Sequence, residues 1–138
     1  MDSSGILKDR RRGDAIVEFA LVLPILLLIL FGILELGRVL DAWIVVQNAA
    51  REGARVGTLD ATAAAAATDA QSAANSYLST AFATRSDVDK TVISTPVVTT
   101  DAVQVNVEAD IHIYTPFMQA ILSPSLPVRA TAILPRMT

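Results

Sequence analysis

Apolar residues fall along this chain in three rhythms. In the first they are continuous: from Phe19 to Leu34 sixteen successive residues carry no charge, and from Ala15 the run is twenty long with only Glu18 interrupting it. Twenty residues rising about 1.5 Å each reach roughly 30 Å, the depth of a bilayer's hydrocarbon core. A soluble core helix needs an apolar stripe, not an apolar circumference. The run is therefore predicted to be a transmembrane helix. Pro24 within it removes one backbone hydrogen bond and presses on the carbonyl four residues back, so a kink is expected there. Gly32 and Gly37 are candidate close-approach points, although their spacing is not the small-xxx-small pattern.

In the second rhythm the period is three to four. Leu36, Val39/Leu40, Trp43, Val46/Gln47, Ala50, Gly53/Ala54 and Gly57 make one face of a continuing helix. Residues 14–57 would then form one rod of about 66 Å. Trp43 is expected to pack into the core of the following domain. Ala49, Ala50, Gly53, Ala54 and Gly57 are all small, which predicts a helix-packing face where another helix comes close. Its partner is expected next in sequence, as an alanine-rich helix from an Asp60 N-cap to about Phe82, with Ala67, Ala70, Ala74, Tyr77, Leu78 and Phe82 on its inner face.

The third rhythm is strict alternation. After a polar loop at 83–90 comes a strand over Thr91–Val98, with Pro96 marking an edge or bulge, and a turn at Thr99–Asp101. From Val103 to Ile113 apolar residues alternate with Gln104, Asn106, Glu108, Asp110 and His112, the signature of a half-buried antiparallel strand. A helical turn over Pro116–Leu122, a loop at 123–127 and a last strand carrying Val128, Ala130, Ala132 and Leu134 complete the chain. The fold class is α+β: a long N-terminal transmembrane helix, a second Ala-rich helix and a small antiparallel three-stranded sheet.

Charge gives this layout a direction. The net charge is −3, but residues 1–13 hold four basic and two acidic groups, which leaves 7 basic against 12 acidic groups for residues 14–138. Basic residues before the span place the N-terminus in the cytoplasm and export the rest. An acidic exported part does not suit nucleic acid, which selects a basic face. With no cysteine, disulfides and thiolate metal sites are excluded. A cleaved secretory signal would need a shorter apolar run and an Ala-x-Ala site after it, whereas here Gly32-Ile33-Leu34-Glu35-Leu36-Gly37-Arg38 follows. Residues 1–12 lack periodicity and are expected to be unstructured. The one histidine, His112, reads as a solvated surface residue, and Asp87 and Asp89 as a solvated turn too poor in oxygens for calcium. Phosphate loops, nucleophile elbows and HExxH motifs do not occur. We expect no enzyme, no cofactor, no metal and no small-molecule substrate.

The start of the apolar run carries a further pattern. Lys8-Asp9-Arg10-Arg11-Arg12-Gly13 is followed by four residues and then by Glu18-Phe19. This resembles the processing site of type IV pilin-like precursors. The longer string AIVEFALVLPILLLILFGILELGR, with Val46-Gln47-Asn48-Ala49-Ala50-Arg51-Glu52-Gly53-Ala54-Arg55 after it, resembles the TadE-like branch, the minor pilins (pseudopilins) of tight-adherence pilus systems. The resemblance covers roughly residues 10–57. It implies that a prepilin peptidase removes a cytoplasmic leader, 1–13, so that Asp14 begins the transmembrane and assembly helix 14–57, followed by an exported head, 58–138. It further implies a single-pass protein of the bacterial cytoplasmic (inner) membrane, with incorporation in the extracellular pilus as one destination. The implied partners are lipid, other pilin or pseudopilin subunits and the pilus assembly platform, and the implied role is pilus assembly in support of adhesion. The major pilins of such systems are little more than the helix, so a head points to a minor component.

Glu18 also has a physical reading of its own. A carboxylate near a span centre costs about 2.5–3.5 kcal/mol, less toward the end. After cleavage, the free ammonium of Asp14 could be neutralised by Glu18 of a neighbouring chain. Alternatively, Glu18 reaches the headgroup layer by itself. Two other functions stay open: a type II secretion-like pseudopilin, against which Asp14 stands where that class places Phe, and an unprocessed signal-anchored exported binding module.

Overall fold

The computed structural model describes the backbone of residues 4–60 and 62–136, and the side chains of residues 14–60, 62–89 and 91–136. It contains α1 (Ser4–Gly57), α2 (Ala63–Ala81), β1 (Val88–Ile93), β2 (Val97–Val98), β3 (Ala102–His112), α3 (Pro116–Ile121) and β4 (Ser125–Pro135). The chain divides into two compact units, the first ending at Glu35 and the second beginning at Leu36.

In the first unit, α1 begins at Ser4, inside the segment expected to be unstructured. Leu7, Lys8 and Arg10–Arg12 are good helix formers, and the first proline is Pro24, so propensity carries the helix back through residues 4–13. Residues 1–3 lie outside the described residues.

The second unit is an α+β head built on β3. β3 pairs antiparallel with β4 along its whole length, from Ala102↔Pro135 to His112↔Ser125. Its other edge is shared by β1 and β2, in the registers Ile93↔Val107 and Val97↔Gln104. The strand predicted over 91–98 is thus two pieces on one edge. Pro96 lacks the N–H that a continuous ladder needs, and pairing lapses around it. β4 begins at Ser125, inside the loop predicted over 123–127. As β4 adds to β3 alone in the sheet, Pro127 and Pro135 sit where a missing donor breaks no second ladder.

Val103, Val105, Val107, Ala109, Ile111 and Ile113 are all buried. Most of them join one core with Ala42, Val46, Ala49, Ala50 and Ala54 of α1, Ala70, Ala74 and Leu78 of α2, and Val128 and Ala132 of β4. The opposite face of the sheet is polar. There Arg129 Nη2 donates to Glu108 Oε1 at 2.9 Å, and Thr131 Oγ1 to Asn106 Oδ1 at 2.7 Å.

Two expectations are corrected in this unit. Trp43 is 42% exposed while its neighbour Ala42 is fully buried, so the helix turns Ala42 and Val46, and not Trp43, into the core. The N-cap of α2 is Thr62, not Asp60: Thr62 has extended backbone and its Oγ1 accepts from Ala65 N at 3.3 Å. Asp60 instead meets the segment after β4, its carbonyl accepting from Arg136 Nη2 at 2.6 Å.

Candidate functional site

Within the first unit, Gly13, Asp14, Glu18 and Phe19 all lie inside α1, which continues through Pro24 without a break. Around the helix, large apolar side chains face outward in every direction: Ile16, Phe19, Leu21 and Ile25 are each more than half exposed, and so are Ile33 and Leu34. No residue of the most apolar 18-residue window is buried by the protein itself. Covering a side chain of this size is worth about 1.5–3 kcal/mol. Leaving fourteen of them half uncovered between Ile16 and Leu34 would cost on the order of 10 kcal/mol or more in water, comparable to the whole stability of a domain. Among the described residues this is the one helix long and apolar enough to cross a membrane.

In the second unit, the small residues of α1 form two rows at four-residue spacing: Ala42, Val46, Ala50 and Ala54 in one, Ala49, Gly53 and Gly57 in the other. α2 presents a matching row, Ala66, Ala70, Ala74 and Leu78, all buried. Residues four apart form the ridges along which helices most often interdigitate. The approach is close. A Cβ on Gly53 would lie 2.7 Å from the Ala70 carbonyl oxygen and 3.0 Å from Ala74 Cβ. One on Gly57 would lie 3.0 Å from Ala66 O, Ala70 Cβ and Val103 Cγ1. Gly32 and Gly37, by contrast, have no such neighbour within 4 Å.

A second arrangement ties the α2–β1 loop to α1. Arg85 forks onto Asp87 through Nε–Oδ1 at 2.9 Å and Nη2–Oδ2 at 2.6 Å, while its Nη1 meets Asp41 Oδ2 at 2.5 Å. Arg38 Nη2 lies 3.1 Å from Asp87 Oδ2, and its guanidinium stacks 4.5 Å over the Tyr114 ring. Tyr114 in turn donates its hydroxyl to Ser86 O at 2.8 Å. Asp87, expected as part of a solvated turn, is 6% exposed. The hydrogen bonds from Arg85 hold its carboxyl down at about 2, against the opposing pull of burial. Asp89 falls where the β1–β3 register shifts, and pairs with His112 Nδ1 at 3.3 Å. His112 is half-buried and meets the Tyr114 ring edge-on at 5.3 Å.

Local sequence patterns give no sign of this network, because Arg85 reaches Asp41 and Arg38 across 44 and 47 residues. Its members are mutually satisfied ion pairs, an arrangement suited to fixing a loop. Among the described residues no group of three or more His, Asp or Glu side chains could hold a metal ion.

Residues 13–55 match the family model of the TadE-like protein. The matched segment runs from the glycine of the basic cluster through the apolar helix to the small-residue rows. No curated protein and no solved structure matches the chain.

Proposed function

We propose that this chain is a minor pilin, or pseudopilin, of a tight-adherence type IV-like pilus, processed after Gly13 by a prepilin peptidase and held in the inner membrane by α1. The observation that carries the reading is a coincidence within one segment. The residues that match the TadE-like family include the whole apolar run from Ile16 to Leu34, whose side chains the protein leaves uncovered. A helix apolar on all sides needs lipid, or other helices in a lipid-like setting, around it. Apolar side chains gain little on leaving lipid for a neighbouring helix, so shape and a few polar contacts must select the partner.

Glu18 is the polar contact we assign to that selection. Cleavage gives Asp14 a free ammonium at the membrane boundary, and Glu18 of an adjacent subunit neutralises it. Both charges are poorly solvated there, so only one register satisfies them. The kink assigned to Pro24 shapes the same surface. The head remains on the exported side, where it joins membrane and fibre or caps the assembly in support of adhesion.

Glu18→Ala tests the reading. Membrane insertion should be unchanged, because the substitution only makes the span more apolar, while co-isolation with other pilin subunits and the yield of assembled pili should fall. Unchanged pilus yield with normal insertion would contradict it.

A further inference from the structure

The connector between β3 and β4 carries apolar side chains for which the head has no use. α3 has no buried residue. Phe117 is 51% and Ile121 60% exposed, Leu122 is exposed beside them, and Phe117 and Ile121 share a helical face at four-residue spacing. From Ile113 to Val128, sixteen residues pass without a charge. The segment is nevertheless built, not slack: Ile113 N donates to Pro124 O at 2.9 Å, closing the loop, and Gln119 Nε2 donates to Ile113 O at 2.5 Å.

The connector leaves β3 through Tyr114, whose ring lies under the Arg38 guanidinium. Arg38 is four residues beyond Leu34, the last residue of the uncharged run. Four residues span at most about 14 Å even when fully extended, so Arg38 stays within that reach of the run's end however the two units are arranged. Beyond the hydrocarbon, each headgroup layer adds about 5–7 Å, and interfacial segments bury an apolar face some 5–10 Å into that boundary. Aromatic residues with a polar tip, such as Tyr114, are the ones favoured at this depth.

We propose that the β3–β4 connector, led by Phe117, Ile121 and Leu122, is a second membrane contact that seats this end of the head in the interfacial layer of the lipid. The occupant is lipid and not a protein. The inference rests on the reading of Phe19–Leu34 as the membrane span.

The test uses the full chain in phospholipid vesicles carrying acyl-chain bromines, which quench tryptophan on contact. With Trp43→Phe as background, three variants each carry a single tryptophan: Leu26→Trp in the span, Phe117→Trp in the connector, and Ile133→Trp on exposed β4. Ile133 pairs with Gln104, eight residues from the His112 end of β3, or about 27 Å along the strand. The expected result is strong quenching of Leu26→Trp by deep bromines and at least about two-fold quenching of Phe117→Trp by shallow ones, with Ile133→Trp unaffected. If Leu26→Trp is quenched and Phe117→Trp is not, the connector lies in water or against protein, and the inference fails while the span stands. Equal quenching at Ile133 and Phe117 would also overturn it, since the contact would not be local. An unquenched Leu26→Trp would remove the span, and the inference with it.

Discussion

At Gly53 the helix interior would ordinarily prefer alanine, by about 1 kcal/mol. The crossing with α2 reverses that preference, because the added methyl would sit 2.7 Å from a backbone oxygen that cannot swing aside. Gly53→Ala should therefore destabilise the head by roughly 1–3 kcal/mol, the usual cost of overpacking. Gly37→Ala, where no such neighbour lies within 4 Å, should instead raise stability by a few tenths to about 1 kcal/mol. Thermal melts of the two variants side by side check the contrast. Asp87 makes a different prediction. Its folded pKa of about 2 lies below the ordinary 3.8, so the ionised form favours the folded state. That contribution, about 2 kcal/mol, is complete above about pH 5 and is lost as pH falls from about 5 to 2. Asp87→Asn should cost a similar amount at neutral pH and flatten the acid limb of the stability curve, as measured by denaturant melts across pH.

Among the elements, β3 is where the sequence says most. Its alternation names six inward residues, and all six are buried, because a strand between two others has one way to hide its apolar face. Helix faces are less legible where side chains are small. The rhythm of α1 points to Trp43 as readily as to Ala42, and only the folded head chooses between them. In α2 the buried row begins at Ala66, one residue before the expected Ala67, because five consecutive alanines carry no phase. The Arg38–Asp41–Arg85–Asp87 network is not legible at all, since its pairs meet through the fold and not through local spacing. The processing site proposed at Gly13 rests on a spacing of side-chain types alone, and the backbone is helical on both sides of it. An element-level prediction follows from the core. Residues 42–57 of α1 supply much of the surface against which α2 and β3 are buried, and a domain of this size has little to spare. A polypeptide beginning at Asp60 should melt without cooperativity, and one beginning at Leu36 should melt cooperatively. A sharp transition in the shorter chain would contradict that.

For the whole molecule, the distribution of charge and exposed apolar surface gives each part its solvent. The basic cluster precedes the span, the acidic head follows it, and the span is covered by nothing of its own. In this account the leader is temporary. Its removal uncovers the ammonium that Glu18 of a neighbouring subunit accepts, so assembly depends on a bond being cut between Gly13 and Asp14. Intact mass and N-terminal sequencing of the membrane-extracted protein test this most directly. The expected result is a mature chain that begins at Asp14 and retains the apolar helix. A chain still carrying Arg10–Arg12, or a soluble one that has lost the helix, would contradict it.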